Sequence, residues 1–191
     1  ENTILSHDLL EGNLGRAGLV TDITMVEDYP PSYLTQVLRQ RRWIRGDWQL
    51  LPWLFKSNRN NLGFNIMDRW KIFDNLRRSL LAPSILFIFS TGLIFLPGLA
   101  SLWTLILLLA LAVPLLTGIT RGAMQIMQGE PFANTLRPLG WTLLRWVMAI
   151  SFLVYETYIA IDAILTTLYR LFISHKNLLQ WTTAAQTARL F

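Results

Sequence analysis

The chain has no cysteine, so disulfides and thiolate metal sites are excluded, while the redox compartment stays open. A second absence says more. Residues 79–120, 42 in a row, contain no Asp, Glu, Lys or Arg. A buried helix of a soluble protein does not run that far without a charge, so this stretch is expected in a bilayer. Nothing near Glu1 has the pattern of a signal peptide, and no Met opens the chain. There is no internal repeat and no low-complexity tract. With fewer than 80 residues in the soluble segment ahead of the uncharged run, we expect a fragment whose missing upstream part belongs to the same domain.

What is present divides the 191 residues into unlike parts. Residues 1–78 carry 11 Lys/Arg and 9 Asp/Glu, as an ordinary soluble segment would. The net charge of +5 is modest, but the basic residues crowd before the uncharged run. A basic collar beside a membrane segment fits a cytoplasmic side under the positive-inside rule and does not by itself argue for nucleic acid. About 20 residues suffice for each crossing, and Pro97-Gly98 interrupts the run near its middle. Two transmembrane helices are therefore predicted over 80–119, at 80–96 and 99–119. An even number of crossings returns 120–140, with Arg121, Glu130 and Arg137, to the cytoplasm as a connector. Residues 141–170 are apolar enough to cross, but Arg145, Glu156 and Asp162 would each cost about 2.5–3.5 kcal/mol at a helix centre. The favoured expectation is a helix packed at the interface or against other membrane helices. The alternative lines a path for a glycan with Glu156, Tyr158 and Asp162. Residues 171–191 read as a polar linker to a further domain.

In the soluble part, Thr3-Ile4-Leu5 reads as the end of a strand that delivers Ser6-His7-Asp8 to a helix over about 9–17. Asp8 has two readings. It is a helix N-cap, completed as a capping box by Glu11, or a general base projecting from the carboxyl edge of a sheet, where ligands gather. Ile23 to Val26 has the β-branched content of a strand, followed by an acidic turn at Glu27-Asp28. Pro30-Pro31-Ser32 sets a helix start with Ser32 as its cap, and Leu34, Val37, Leu38 and Leu51 supply its buried side. The Asn- and Gly-rich residues 56–66 read as a loop. Residues 67–79 resume helical spacing, with Met67, Trp70, Phe73, Leu76 and Leu80 on one side, the pattern of an interfacial helix.

The densest signal is Arg39 to Gln49, which packs four arginines and two tryptophans into eleven residues. At about 100° per residue, Arg39, Arg42, Trp43, Gly46 and Gln49 share a face. Guanidinium forks match phosphate oxygens bidentately, and an indole face suits the apolar side of a sugar ring. The competing readings are a basic face lying on anionic lipid and, more weakly, an RNA surface; the membrane anchor that follows speaks against RNA.

Arg42-Trp43-x-Arg45-Gly46-x-x-Gln49 resembles the Q-x-x-R-W region of processive, inverting, membrane-embedded glycosyltransferases of the cellulose synthase type. Its first position is Arg39 here, with Gln40 one place later. The wider wording is similar to one group, the glycosyltransferase segment of cyclic β-1,2-glucan synthases. It includes Ser6-His7-Asp8-Leu9-Leu10-Glu11-Gly12, Arg69-Trp70-Lys71 and Trp181-Thr182-Thr183-Ala184-Ala185-Gln186. The resemblance implies the C-terminal end of an α/β, GT-A-like domain over 1–66, then the interfacial and transmembrane helices of an α-rich membrane protein fragment. It implies Asp8 as the base, Arg42 with Arg39, Arg45 and Gln40 at the donor diphosphate, and Trp43 under the acceptor sugar. It further implies UDP-glucose, a growing glucan chain and the lipid bilayer as partners, without nucleic acid, and a multi-pass protein of the bacterial inner membrane with a cytoplasmic transfer site. A divalent metal, Mg or Mn, is expected in the full-length enzyme, with ligands outside this fragment because no Asp-x-Asp is present. The nearest alternative is a linear-glucan membrane glucosyltransferase of the bacterial envelope. The alternative of another class is a non-catalytic basic module that docks on membranes.

Overall fold

A computed structural model of the chain describes residues 4, 8–15, 18, 20–26, 32–55 and 64–180, with Asp8, Leu14 and Arg137 described by backbone only. Every regular element among them is helical: α1 Asp8–Leu14, α2 Tyr33–Gln49, α3 Leu51–Phe55, α4 Ile66–Ser79, α5 Leu81–Phe95, α6 Ala100–Leu111, α7 Val113–Met127 and α8 Phe132–Tyr169. The chain forms two compact units, Glu1–Leu81 with Tyr158–Phe191, and Ala82–Thr157.

In the first unit, α2 starts where the sequence predicts. Ser32 has extended backbone, and its hydroxyl accepts from the Thr35 amide at 3.2 Å, a cap worth about 1 kcal/mol. α2 ends at Leu50, whose N–H turns back to the Asp47 and Trp48 carbonyls. α4 opens on a capping box between Asn65 and Asp68 and closes with Arg77 and Arg78, cations placed at the negative end of the helix dipole. Ile4, Leu50, Ile72 and Leu76 form one core cluster, with Trp48, Trp53 and Leu54 packed against it. The predicted apolar side of α4 therefore divides. Leu76 is buried, together with Ile72 from outside that side, while Met67, Trp70, Phe73 and Leu80 remain exposed.

Ile23–Val26 is not a strand: residues 23–26 are exposed and unpaired, and no strand occurs among the described residues. A β-branched run becomes a strand only when a neighbour takes its N–H and C=O groups, and none of the described residues does so. α1 also ends at Leu14 rather than near residue 17, and Asp8 is its first helical residue instead of its cap. The Gly15 amide makes a last bond to the Glu11 carbonyl at 2.6 Å, after which the entropic cost of glycine in a helix favours leaving it.

The second unit is built on small residues. Gly92 faces the Trp103 indole so closely that a Cβ there would run into the ring, and Gly122 stands in the same relation to the Thr135 methyl. The Trp146 indole N–H donates to the Leu108 carbonyl at 3.1 Å. A 3-10 turn, Pro97–Leu99, joins α5 to α6. The helix predicted over 99–119 is broken: α6 and α7 meet at an angle of 59°, with Pro114 beside the break. Proline lacks the amide the helix needs and crowds the carbonyl four residues back. Most of 120–140 is helical, leaving only the turn at 128–131, where Gly129 takes φ 91°. α8 runs 38 residues, about 57 Å at the rise of an α-helix. Among the described residues, the helix Phe132–Ser174 is long and apolar enough to cross a membrane, and up to three spans result if α4–α5 and α6–α7 are each one bent span.

Candidate functional site on the arginine-tryptophan helix

Along α2, Arg41, Ile44, Arg45 and Trp48 follow the i, i+3, i+4, i+7 spacing of one stripe, and each is tied down. Arg41 Nε and Nη2 lie 2.7 and 2.6 Å from Asp162 Oδ2 on α8. Ile44 is buried with Ala160, Ala163 and Ile164, and Trp48 packs against this cluster as well as the other core cluster. Arg45 Nη1 donates to the Gln180 carbonyl at 2.8 Å, and Gln49 Nε2 to the Leu178 carbonyl at 2.9 Å. Trp48 Nε1 donates to Ser79 Oγ at 2.9 Å, and Asn75 Nδ2 to Asp47 Oδ1 at 3.0 Å. From α8 outward, Arg170 donates to the Asn177 carbonyl and the Gln180 side chain. The segment after α8 is thus stitched to both helices.

The predicted shared face divides along its length. Gly46 and Gln49 are buried. Toward the helix start the face is open: the Arg39 guanidinium lies 4.5 Å from the centre of the Trp43 ring, and Trp43 is 38% exposed. Arg42 and Gln40 are half-buried beside them. A cation held on an indole in this way contributes about 0.5–1 kcal/mol at an exposed position; its larger consequence is a fixed ring.

Burial sets the electrostatics beneath. Arg45 is 5% exposed. Its pKa is pushed down to about 10, chiefly by burial and then by the Arg170 and Arg41 charges, against the opposing pull of Asp162. It stays charged at neutral pH, with Nε and Nη2 buried and without acceptors among the described residues. Burial likewise pushes the Asp47 carboxyl up, opposed by the Asn75 hydrogen bond and the Arg78 charge. The Arg41–Asp162 pair is about a third exposed on each side. In water such a pair contributes about 1 kcal/mol at most, so it matters more for register than for stability.

Asp8 opens α1, and its side chain, with Ser6 and His7, lies outside the described residues, as do residues 56–63 and the Trp181–Gln186 motif. Among the described residues no three His, Cys, Asp or Glu side chains converge as a metal site would require. A concavity of about 690 Å³ in the second unit is lined by Ala133, Asn134, Pro138, Trp141, Thr142 and Arg145, all on α8. Sequence reading missed the anchoring role of Arg41 and Asp162. The available signal was a carboxylate in an apolar helix, which calls for a cationic partner.

The fold and this face define a class: a helical segment of membrane-crossing character that carries a basic, aromatic surface helix. Comparison makes the class particular. The chain is 41% identical over 191 aligned positions to cyclic beta-(1,2)-glucan synthase NdvB of Rhizobium meliloti (strain 1021), a match covering 97% of this chain and 7% of that protein. The chain is therefore homologous to a segment of a cyclic beta-(1,2)-glucan synthase, as the motifs indicated, and spans about 7% of the length of the curated relative it matches. No family model matches the chain, and no solved structure does.

Proposed function

We propose that the chain is part of a membrane-embedded, inverting glucosyltransferase that polymerises glucose from UDP-glucose into cyclic β-1,2-glucan at the cytoplasmic face of a bacterial inner membrane. The homology supports the product class. The observation that carries the site is the open end of α2, where a ring fixed by Arg39 stands beside Arg42 on a helix anchored from its other side.

In this reading residues 1–66 close a GT-A-like domain. Asp8 accepts the proton of the acceptor hydroxyl, which attacks the anomeric carbon of the donor with inversion; a placed base contributes about 10²–10⁴ in rate. Arg42, with Arg39 or Arg45 and with Gln40, balances the charge that builds on the leaving diphosphate. Trp43 stacks under the terminal acceptor sugar and sets its height. The exposed row Met67, Trp70 and Phe73 on α4 rests in the lipid interface. A divalent ion, if used, would screen the diphosphate. No group of three His, Cys, Asp or Glu side chains that could hold it occurs among the described residues.

The test is glucose incorporation by the intact protein in membranes. Asp8→Asn should abolish elongation and leave nucleotide binding unchanged, and Trp43→Ala should reduce elongation far more than donor hydrolysis. Near-native elongation by Asp8→Asn, or equal losses by Trp43→Ala in both reactions, would overturn the assignment. A linear product would favour the linear-glucan alternative.

A further inference from the structure

We infer that Arg41 and Asp162 are a positioning pair, which holds the arginine-tryptophan helix on the end of α8 and so fixes where Arg42 and Trp43 stand relative to donor and acceptor. The inference rests on the glucosyltransferase reading above and assigns the pair no contact with substrate.

Three observations carry it. First, both Arg41 donors that face α8 converge on one oxygen of Asp162, at 2.7 and 2.6 Å. Asp162 is thereby accounted for by the helix that bears the site, and not by a glycan path. Second, the seam beneath is built for close approach. Ala163 is fully buried, Ala160 nearly so, and both receive Ile44, one turn along from Arg41. Small residues let two helices come near enough for a short pair to form, and the pair then selects one register among the neighbouring ones that the apolar contact alone would tolerate. Third, Arg41 precedes Arg42 and Trp43 in the chain, on the side of α2 away from Trp43, so it ties to α8 the same turn of helix that carries the open face. The bonds from Arg45 and Gln49 to the Gln180 and Leu178 carbonyls hold the C-terminal part of α2. Without the pair the helix keeps its apolar seat but loses the contact that sets its rotation at the site.

The partial exposure of both side chains predicts variants that fold. The intact protein is assayed in membranes for UDP-glucose-dependent elongation, with kcat and donor KM measured separately. Asp162→Asn and Arg41→Gln should each lower kcat about ten- to hundred-fold, the scale of a small misplacement, with donor KM nearly unchanged. Asp162→Glu should keep most activity, and the exchange Arg41→Asp with Asp162→Arg should recover more activity than either half alone. An Ile44→Cys/Ala163→Cys pair in a cysteine-free background reports the seam by cross-linking, and its yield should persist in Asp162→Asn. Single variants that elongate at the parental rate would overturn the inference, as would kcat losses matched by rising donor KM, which mean substrate contact. Should a single variant lose the cross-link, recovery of both cross-link and elongation in the exchange supports the pair, and failure to recover overturns it. If the parent incorporates no glucose, the functional reading falls and takes this inference with it. An active parent with indifferent single variants sinks the inference alone.

Discussion

Asp47 offers a pH signature that belongs to a single side chain. Burial raises its pKa above the ordinary carboxylate value of 3.8, and Asn75 and Arg78 only partly oppose this. Between 3.8 and the raised value the folded state holds more protons than the unfolded one, so stability falls as pH rises through that window. Asp47→Asn removes the titration while keeping a hydrogen-bonding partner for Asn75. Unfolding followed across pH should show the variant gaining on the parent from acid toward neutral pH, with the difference closing below the ordinary value. A variant that loses ground at neutral pH would mean that the charged carboxylate's contacts outweigh its burial. The bond to Asn75, 28 positions away, was not legible in the sequence, and neither was Arg41 with Asp162, 121 positions apart. Helical periodicity tells which residues share a face, not which distant face they meet. What was legible was local: the Ser32 cap, the helix it starts and the density of arginine and tryptophan upon it.

Between helices, the glycines of the second unit give a graded test of packing. At Gly122 a Cβ would collide with the Thr135 methyl, whereas at Gly118 it would sit 3.6 Å from Leu139 and 3.7 Å from Thr142, an ordinary contact, and at Gly140 it would meet nothing within 4 Å. Gly122→Ala should therefore destabilise by about 1–3 kcal/mol through overpacking. Gly118→Ala and Gly140→Ala should be neutral or stabilising by up to about 1 kcal/mol, since alanine favours the helix. Thr135→Ser, which deletes the offending methyl, should restore Gly122→Ala. Thermal unfolding in detergent ranks the series, and a Gly122→Ala as stable as Gly118→Ala would refute the close approach of α7 and α8. The uncharged run predicted helices here without these contacts, because composition reports the solvent a helix prefers and not the neighbour it touches. It also missed the bend at Ala112 and the helical nature of most of 120–140, where polar residues suggested a connector although they occupy helix surfaces.

For the chain as a whole, three short bonds constrain the path through a bilayer. Arg41, Arg45 and Gln49 on α2 bind Asp162, Gln180 and Leu178 at 2.6 to 2.9 Å. No bilayer separates groups so close, so α2 and residues 175–180 lie on one side, and the number of crossings between them is even. If 80–119 crossed twice and α8 once, the count would be odd. With α8 as a crossing, the same parity requires an odd number of crossings over residues 82–127. An odd count there would carry 128–131 across the membrane, and an even count would return 120–140 to its starting side, as the sequence leads one to expect. Because the chain has no cysteine, single cysteines read this directly. Thr24→Cys and Lys176→Cys should react with an impermeant thiol reagent from the same side of the membrane, and Gln128→Cys from the other. Reaction of Gln128→Cys from the side of Lys176→Cys would show that α8 does not cross, and 80–119 would then recover its two crossings. Both outcomes keep the parity that the three bonds impose, so the experiment decides which helix does the crossing.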